Sequence, residues 1–141
     1  MSQTIHAGCV AIGGRGILIA GPSGSGKSDL ALRLIDRGAQ LVSDDYTALR
    51  VEAGTLLGRA PPRIAGLIEI RGVGIVRQDV TAEAPICLLV DLAQPPERLP
   101  DGPGKRLIAG CEVPSLPLAA LEASAPIKVE RALLLFGLHS A

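Results

Sequence analysis

Apolar positions along the chain change their spacing several times, and each change marks an element. Residues 5–12 are β-prone, Gly13-Gly14-Arg15-Gly16 is a turn signal, and Ile17-Leu18-Ile19-Ala20 is a short unbroken apolar run. Two strands joined as a hairpin are the economical reading, with His6 inside the first. Leu30, Ala31, Leu34 and Ile35 then recur at helical spacing. They predict a helix over 29–37, with Asp29 and Arg33 one turn apart and Gly38 as its left-handed cap. Leu41 and Val42 open a short strand ending in Asp44-Asp45. A right-handed strand–helix–strand crossover would bring that strand back beside the run at 17–20.

Further on, 47–51 and 55–57 flank Glu52-Ala53-Gly54 as a second hairpin, and 59–63 is a proline-interrupted loop. Alternation through 67–71 puts Glu69 and Arg71 on one face and Ile68 and Ile70 on the other, and Gly72 and Gly74 permit a tight bend. Residues 85–92 are an apolar run ending in Asp91. Residues 94–105 hold Pro95, Pro96, Pro100, Pro103, Gly102 and Gly104 and read as a loop carrying Arg98. A strand is expected over 107–113, a helical turn or two over 116–124, and a last helix over 127–138. The near-continuous apolar stretch 132–136 should pack against a sheet or another subunit. Strands alternating with helices predict one α/β domain over 1–141, a mixed central β-sheet with flanking helices.

Composition narrows the classes of function. Apolar residues make up 48% of the chain, there is no Trp, and Tyr46 and Phe136 are the only aromatics, so the core is aliphatic. Stacking platforms for single-stranded nucleic acid are missing, and zero net charge without a basic run argues against nucleic acid or an acidic membrane surface. Cys9, Cys87 and Cys111 form no C-x-x-C pair and read as small hydrophobes in a reducing cytosol. The start of the chain lacks the pattern of a signal peptide, and no apolar stretch approaches the ~18 residues that span a bilayer. The expectation is a cytoplasmic protein.

The candidate chemistry centres on Gly21-Pro22-Ser23-Gly24-Ser25-Gly26-Lys27-Ser28, which matches G-x-x-x-x-G-K-[ST] at every fixed position, after a strand and before a helix. Glycines let successive N–H groups turn inward on phosphate oxygens, the following helix adds its positive end, Lys27 reaches the β- and γ-phosphates, and the Ser28 hydroxyl is a Mg²⁺ ligand. Asp44 and Asp45 should lie beyond the carboxyl ends of the strands, pointing to opposite faces and so serving different tasks, one toward a metal and one toward a proton. Asp91 competes as the metal-orienting carboxylate of a generic nucleoside triphosphatase or small-molecule kinase. A nucleotide-sensing module without turnover is the third reading.

Four segments together resemble the catalytic domain of the bacterial HPr kinase/phosphorylase family: Ile5-His6-Ala7-Gly8, the loop above, residues 34–45, and Leu67-Ile68-Glu69-Ile70-Arg71-Gly72-Val73-Gly74-Ile75-Val76. The resemblance implies a phosphate-loop fold of the HPr kinase/phosphoenolpyruvate carboxykinase-like type. It implies ATP and Mg²⁺, with Lys27 and Ser28 in the loop, Glu69 as second metal ligand, Asp45 as general base supported by Asp44, His6 as the upstream histidine and Arg98 as the nearest counterpart of a later catalytic arginine. The implied partner is HPr or its nitrogen-system relative, in a homo-oligomer that is a hexamer in the family. The expected form is a compact one without the family's N-terminal domain. No counterpart of the P-V-[TR]-P-G-R-N loop occurs near 113–126, so the resemblance implies the kinase direction first and leaves the phosphorylase direction open.

Overall fold

Central strands buried on both faces decide the architecture of the computed structural model, which describes residues 2–78 and 80–139. The main sheet runs β1 (Ser2–Ile5), β5 (Thr47–Glu52), β6 (Thr55–Arg59), β9 (Ala84–Asp91), β3 (Arg15–Ala20), β2 (Ala7–Ile12), β4 (Gln40–Ser43). Along β9 the sheet divides. Its first residues pair antiparallel with β6, and Leu89, Val90 and Asp91 pair in parallel with β11 (Cys111–Pro117), itself hairpinned to β10 (Gly104–Ile108). A separate hairpin joins β7 (Leu67–Ile70) to β8 (Gly74–Arg77).

Alternate residues of β3 enter two different cores. Ile17 and Ile19 pack with Leu30 and Leu34 of α1 (Lys27–Asp36), with Val129 and Leu133 of α2 (Ala125–Phe136), and with Ile68 of β7. Leu18 joins Cys9, Val42, Leu49, Leu56, Leu89 and Val113 on the other face, where strands alone close the core. Both helices therefore lie on one face, and the curled sheet covers the other with its own hairpins. The core is aliphatic, as the composition requires. Burial pushes the Cys9 thiol up to about 12, so it packs as an inert hydrophobe. Cys87 is also buried, and all three cysteines are free thiols.

Helix ends are closed by specific bonds. After α1, Gly38 N–H donates to Ile35 O and Ala39 N–H to Leu34 O, both at 3.0 Å, which is the Schellman arrangement around a left-handed Gly38. Arg15 donates to the carbonyls of Leu133 and Leu138, tying the end of α2 to the start of β3. Among the described residues no helix is long and apolar enough to cross a membrane.

Several expectations need correction. β4 does not lie beside β3: β2, joined to β3 by the turn at Gly13-Gly14, already occupies that edge, and β4 pairs antiparallel with β2. The crossover through α1 thus spans one intervening strand. Residues 107–113 are not one strand but the inner ends of a hairpin turning at Ala109-Gly110, both with positive φ. Residues 116–117 finish β11, and 118–124 are turns rather than helix. The last helix begins two residues earlier than expected, with Pro126 in its first turn, where a missing N–H costs nothing. His6 sits in the bend between β1 and β2 rather than inside a strand.

Candidate active site

Residues 21–28 curl from the end of β3 into α1, and three features of the curl suit a phosphate. Gly24 and Gly26 adopt left-handed φ of 84° and 98°, and a Cβ at Gly24 would meet nothing within 4 Å. The ten-residue helix α1 carries no side-chain cap on its first N–H groups. Ser25 Oγ is buried without a hydrogen-bond partner among the described residues. Free donors converging at the positive end of a helix are the complement of a phosphate oxygen. Lys27 is only 6% exposed, and its ammonium donates to the carbonyls of Gly21 (2.8 Å) and Pro22 (3.1 Å).

The two aspartates after β4 take different directions. Asp44, 8% exposed, accepts from Ser28 Oγ–H at 2.7 Å with one carboxylate oxygen and from the Glu69 N–H at 2.9 Å with the other. One carboxylate thereby joins the phosphate loop, the end of β4 and β7. Asp45 is turned the opposite way by a left-handed φ of 66°, with Tyr46 N–H donating to Asp44 O across it at 2.7 Å. Its carboxylate is 2.9 Å from His6 Nε2, and the His6 ring stacks on Tyr46 with centroids 4.9 Å apart.

These elements enclose a cleft of ≈ 380 Å³ lined by Ser23, Gly24, Gly26, Lys27, Ser28, Asp29, Asp45, Glu69, Arg71 and Leu121. The geometry brings together the loop, Asp44, Asp45 and Glu69, with His6 behind Asp45. It does not bring in Arg98. That side chain lies on the loop after β9 and lines a different cavity with Asp91 and Arg106, because β9 ends on the opposite side of β3 from β4. Asp91 is engaged there too, accepting from the Ala93 N–H (2.9 Å) and from Arg106 (3.2 Å). Leu121 and Tyr46 are additions. Tyr46 had a signal, being one of two aromatics and following the aspartate pair, whereas Leu121 had none.

Hard oxygen donors suit Mg²⁺, and Ser28, Asp44 and Glu69 supply them. No cluster of three or more His, Cys, Asp or Glu side chains that could hold a metal occurs among the described residues.

Comparison with known proteins places this site in context. The family model described as HPr Serine kinase C-terminal domain matches residues 1–123. The HPr kinase/phosphorylase of Clostridium botulinum (strain Eklund 17B / Type B) is 48% identical over 77 residues, 55% of this chain and 25% of that protein. That of Bacillus subtilis (strain 168) is 52% identical over 76 residues, 53% of this chain and 24% of that protein. The chain thus spans about a quarter of the length of these curated relatives. The solved structure of the Hpr(Ser) kinase/phosphatase from Coxiella burnetii superposes with a TM-score of 0.82 at 32% identity, over 94% of this chain and 88% of that one. With most of its length matched by the family model and nearly all of it by a solved fold, this chain belongs to the family of the HPr serine kinase C-terminal domain.

Proposed function

We propose that the chain is a cytoplasmic protein serine kinase that moves the γ-phosphoryl of ATP to a serine of a small phosphocarrier protein, HPr or its nitrogen-system relative. What carries this reading is the Asp45 carboxylate lining the same cleft as Lys27 and Ser28. The backbone of 24–28 and the Lys27 ammonium hold the phosphates, exchanging the lysine's two loop carbonyls for charged oxygens. Ser28 and Glu69 would hold Mg²⁺, with Asp44 fixing the Ser28 hydroxyl, and the ion would supply positive charge against the transferring phosphoryl group. Asp45 accepts the proton of the serine hydroxyl as its oxygen bonds to the γ-phosphorus and the bond to the ADP oxygen breaks. His6, bonded to Asp45 and braced by Tyr46, orients that carboxylate. In the reverse direction Asp45 returns the proton as an acid.

The test is incubation with Mg²⁺-ATP and each candidate carrier, with mass spectrometry for phosphoserine. Asp45→Asn keeps a residue that tolerates the left-handed turn and should slow transfer by about 10²–10⁴-fold with ATP affinity retained. Asp91→Asn should transfer normally. Loss confined to the Asp91 variant would instead support the small-molecule kinase or generic nucleoside triphosphatase, and ATP binding without phosphoserine on any carrier would support a sensing module.

A further inference from the structure

Two cavities share one wall. Leu121 lines the phosphate-loop cleft, while Leu118, Ala119 and Glu122 line a second cavity of ≈ 790 Å³. The wall is held from both sides. Leu118 N–H donates to Asp91 O at 3.0 Å, and Arg33 of α1 donates to the carbonyls of Ala120 and Glu122. Whatever fills one cavity is therefore adjacent to the other.

Strand order sets the cavities on opposite sides of the loop. β3, which carries the loop, has β2 and then β4 on one side and β9 on the other, with β11 beyond β9. Asp44, Asp45 and Glu69 gather on the β4 side. A triphosphate whose terminal phosphoryl lies among those carboxylates directs its other end toward β9. The two regions are in contact there: a Cβ built on Gly21, where the loop begins, would lie 3.1 Å from Leu92 Cβ, just past the end of β9.

The linings differ in the same sense. The loop cleft is mostly charge and glycine, and its ≈ 380 Å³ is at the lower end for a ligand site. The second cavity offers apolar surfaces from Leu116, Pro100 and Pro117, and polar groups from Gln94 and Glu97. Its cations are largely neutralised: Arg106 pairs with Asp91, Lys128 with Glu122 and Lys105 with Glu112. Such a cavity disfavours a second polyanion and suits a mostly neutral group with hydroxyls. Arg98, the one lysine or arginine lining this cavity without an ion pair among the described residues, presents a planar guanidinium that stacks on a flat ring.

We propose that this second cavity binds the nucleoside end of the phosphoryl donor, with the triphosphate passing the wall at 118–122 to reach the loop. This rests on reading residues 21–28 as the phosphate site, and it gives Arg98 a donor-binding role away from the reacting atoms.

Titration calorimetry of the full chain with Mg²⁺-ATP and with Mg²⁺-tripolyphosphate tests it. Ala119→Trp, which fills the cavity, and Arg98→Ala should each weaken ATP about tenfold or more while tripolyphosphate affinity stays within about twofold. On the unmodified chain, hydrogen exchange should show ATP slowing amides in 104–108 and 115–117 that tripolyphosphate leaves unchanged. Unaltered ATP affinity in both variants, equal loss of both ligands, or identical protection by both ligands overturns the proposal. If neither ligand binds the unmodified chain, the phosphate-loop reading fails and takes this one with it. If tripolyphosphate binds and ATP ignores Ala119→Trp and Arg98→Ala, only the nucleoside cavity is refuted.

Discussion

Asp44 and Asp45 are adjacent in sequence, yet one is buried among three chain segments and the other faces the cleft. The left-handed φ at Asp45 makes the difference, a strain of about 1 kcal/mol that Asp and Asn tolerate better than most side chains. Removing the inner carboxylate should be a stability event. Asp44→Ala leaves the Ser28 hydroxyl and the Glu69 N–H without acceptors, and urea denaturation should register a loss of about 2 kcal/mol. Asp44→Asn can keep both bonds by accepting from Glu69 N–H and donating to Ser28 Oγ. It should therefore retain most of the stability while weakening Mg²⁺-dependent ATP binding, because the hydroxyl is then engaged as an acceptor. Equal destabilisation by both variants would contradict this account of the Asp44 bonds. At this scale the candidate site was largely legible, because a loop motif and an aspartate pair at a strand end are local patterns. The bond from Ser28 to Asp44 was not, since it depends on a turn no residue type announces.

Two ion pairs join elements across the chain. Arg37, after α1, bonds Glu130 of α2 through two nitrogens, and Arg50 of β5 does the same to Glu83 just before β9. The guanidinium hydrogen bonds hold both carboxyls below their ordinary value of 4.5. A lowered carboxyl contributes stability that is present above 4.5 and lost as pH falls through its folded-state value. Urea midpoints should thus be steady from neutrality to about pH 5 and then fall, and the Arg37→Gln/Arg50→Gln double variant should show a shallower acid limb. These partly exposed pairs contribute modestly at neutral pH, so that variant should lose little there. The first hairpin, α1 and the β5–β6 hairpin were readable from periodicity and turn residues. The pairing of β4 with β2 and the β10–β11 hairpin were not, because strand neighbours are chosen by long-range packing, and the prolines before 104 disguised where pairing resumes.

At the scale of the molecule, the described residues leave one helix face uncovered. Leu134 and Leu135 of α2 are 70% and 75% exposed while Val129 and Leu133 of the same helix are buried. Continuous apolar sequence explains both: residues 132–136 put apolar side chains on every side of the last turn and only one side meets the core, whereas Lys128, Glu130 and Arg131 keep the earlier turns amphipathic. A homo-oligomer formed through this face is the expected outcome, and Leu134→Lys/Leu135→Lys should lower the mass measured by light scattering without changing the melting of the monomer's core. β3 has the opposite character. It is flanked by β2 and β9, sealed on both faces, and its Ile17, Leu18 and Ile19 are fully buried. Its amides have no local route to solvent, so the backbone of 17–19 is a clock that runs only when the entire chain opens. The platform beneath the loop is then as durable as the protein itself, and any motion that accompanies phosphoryl transfer belongs to the segments around it.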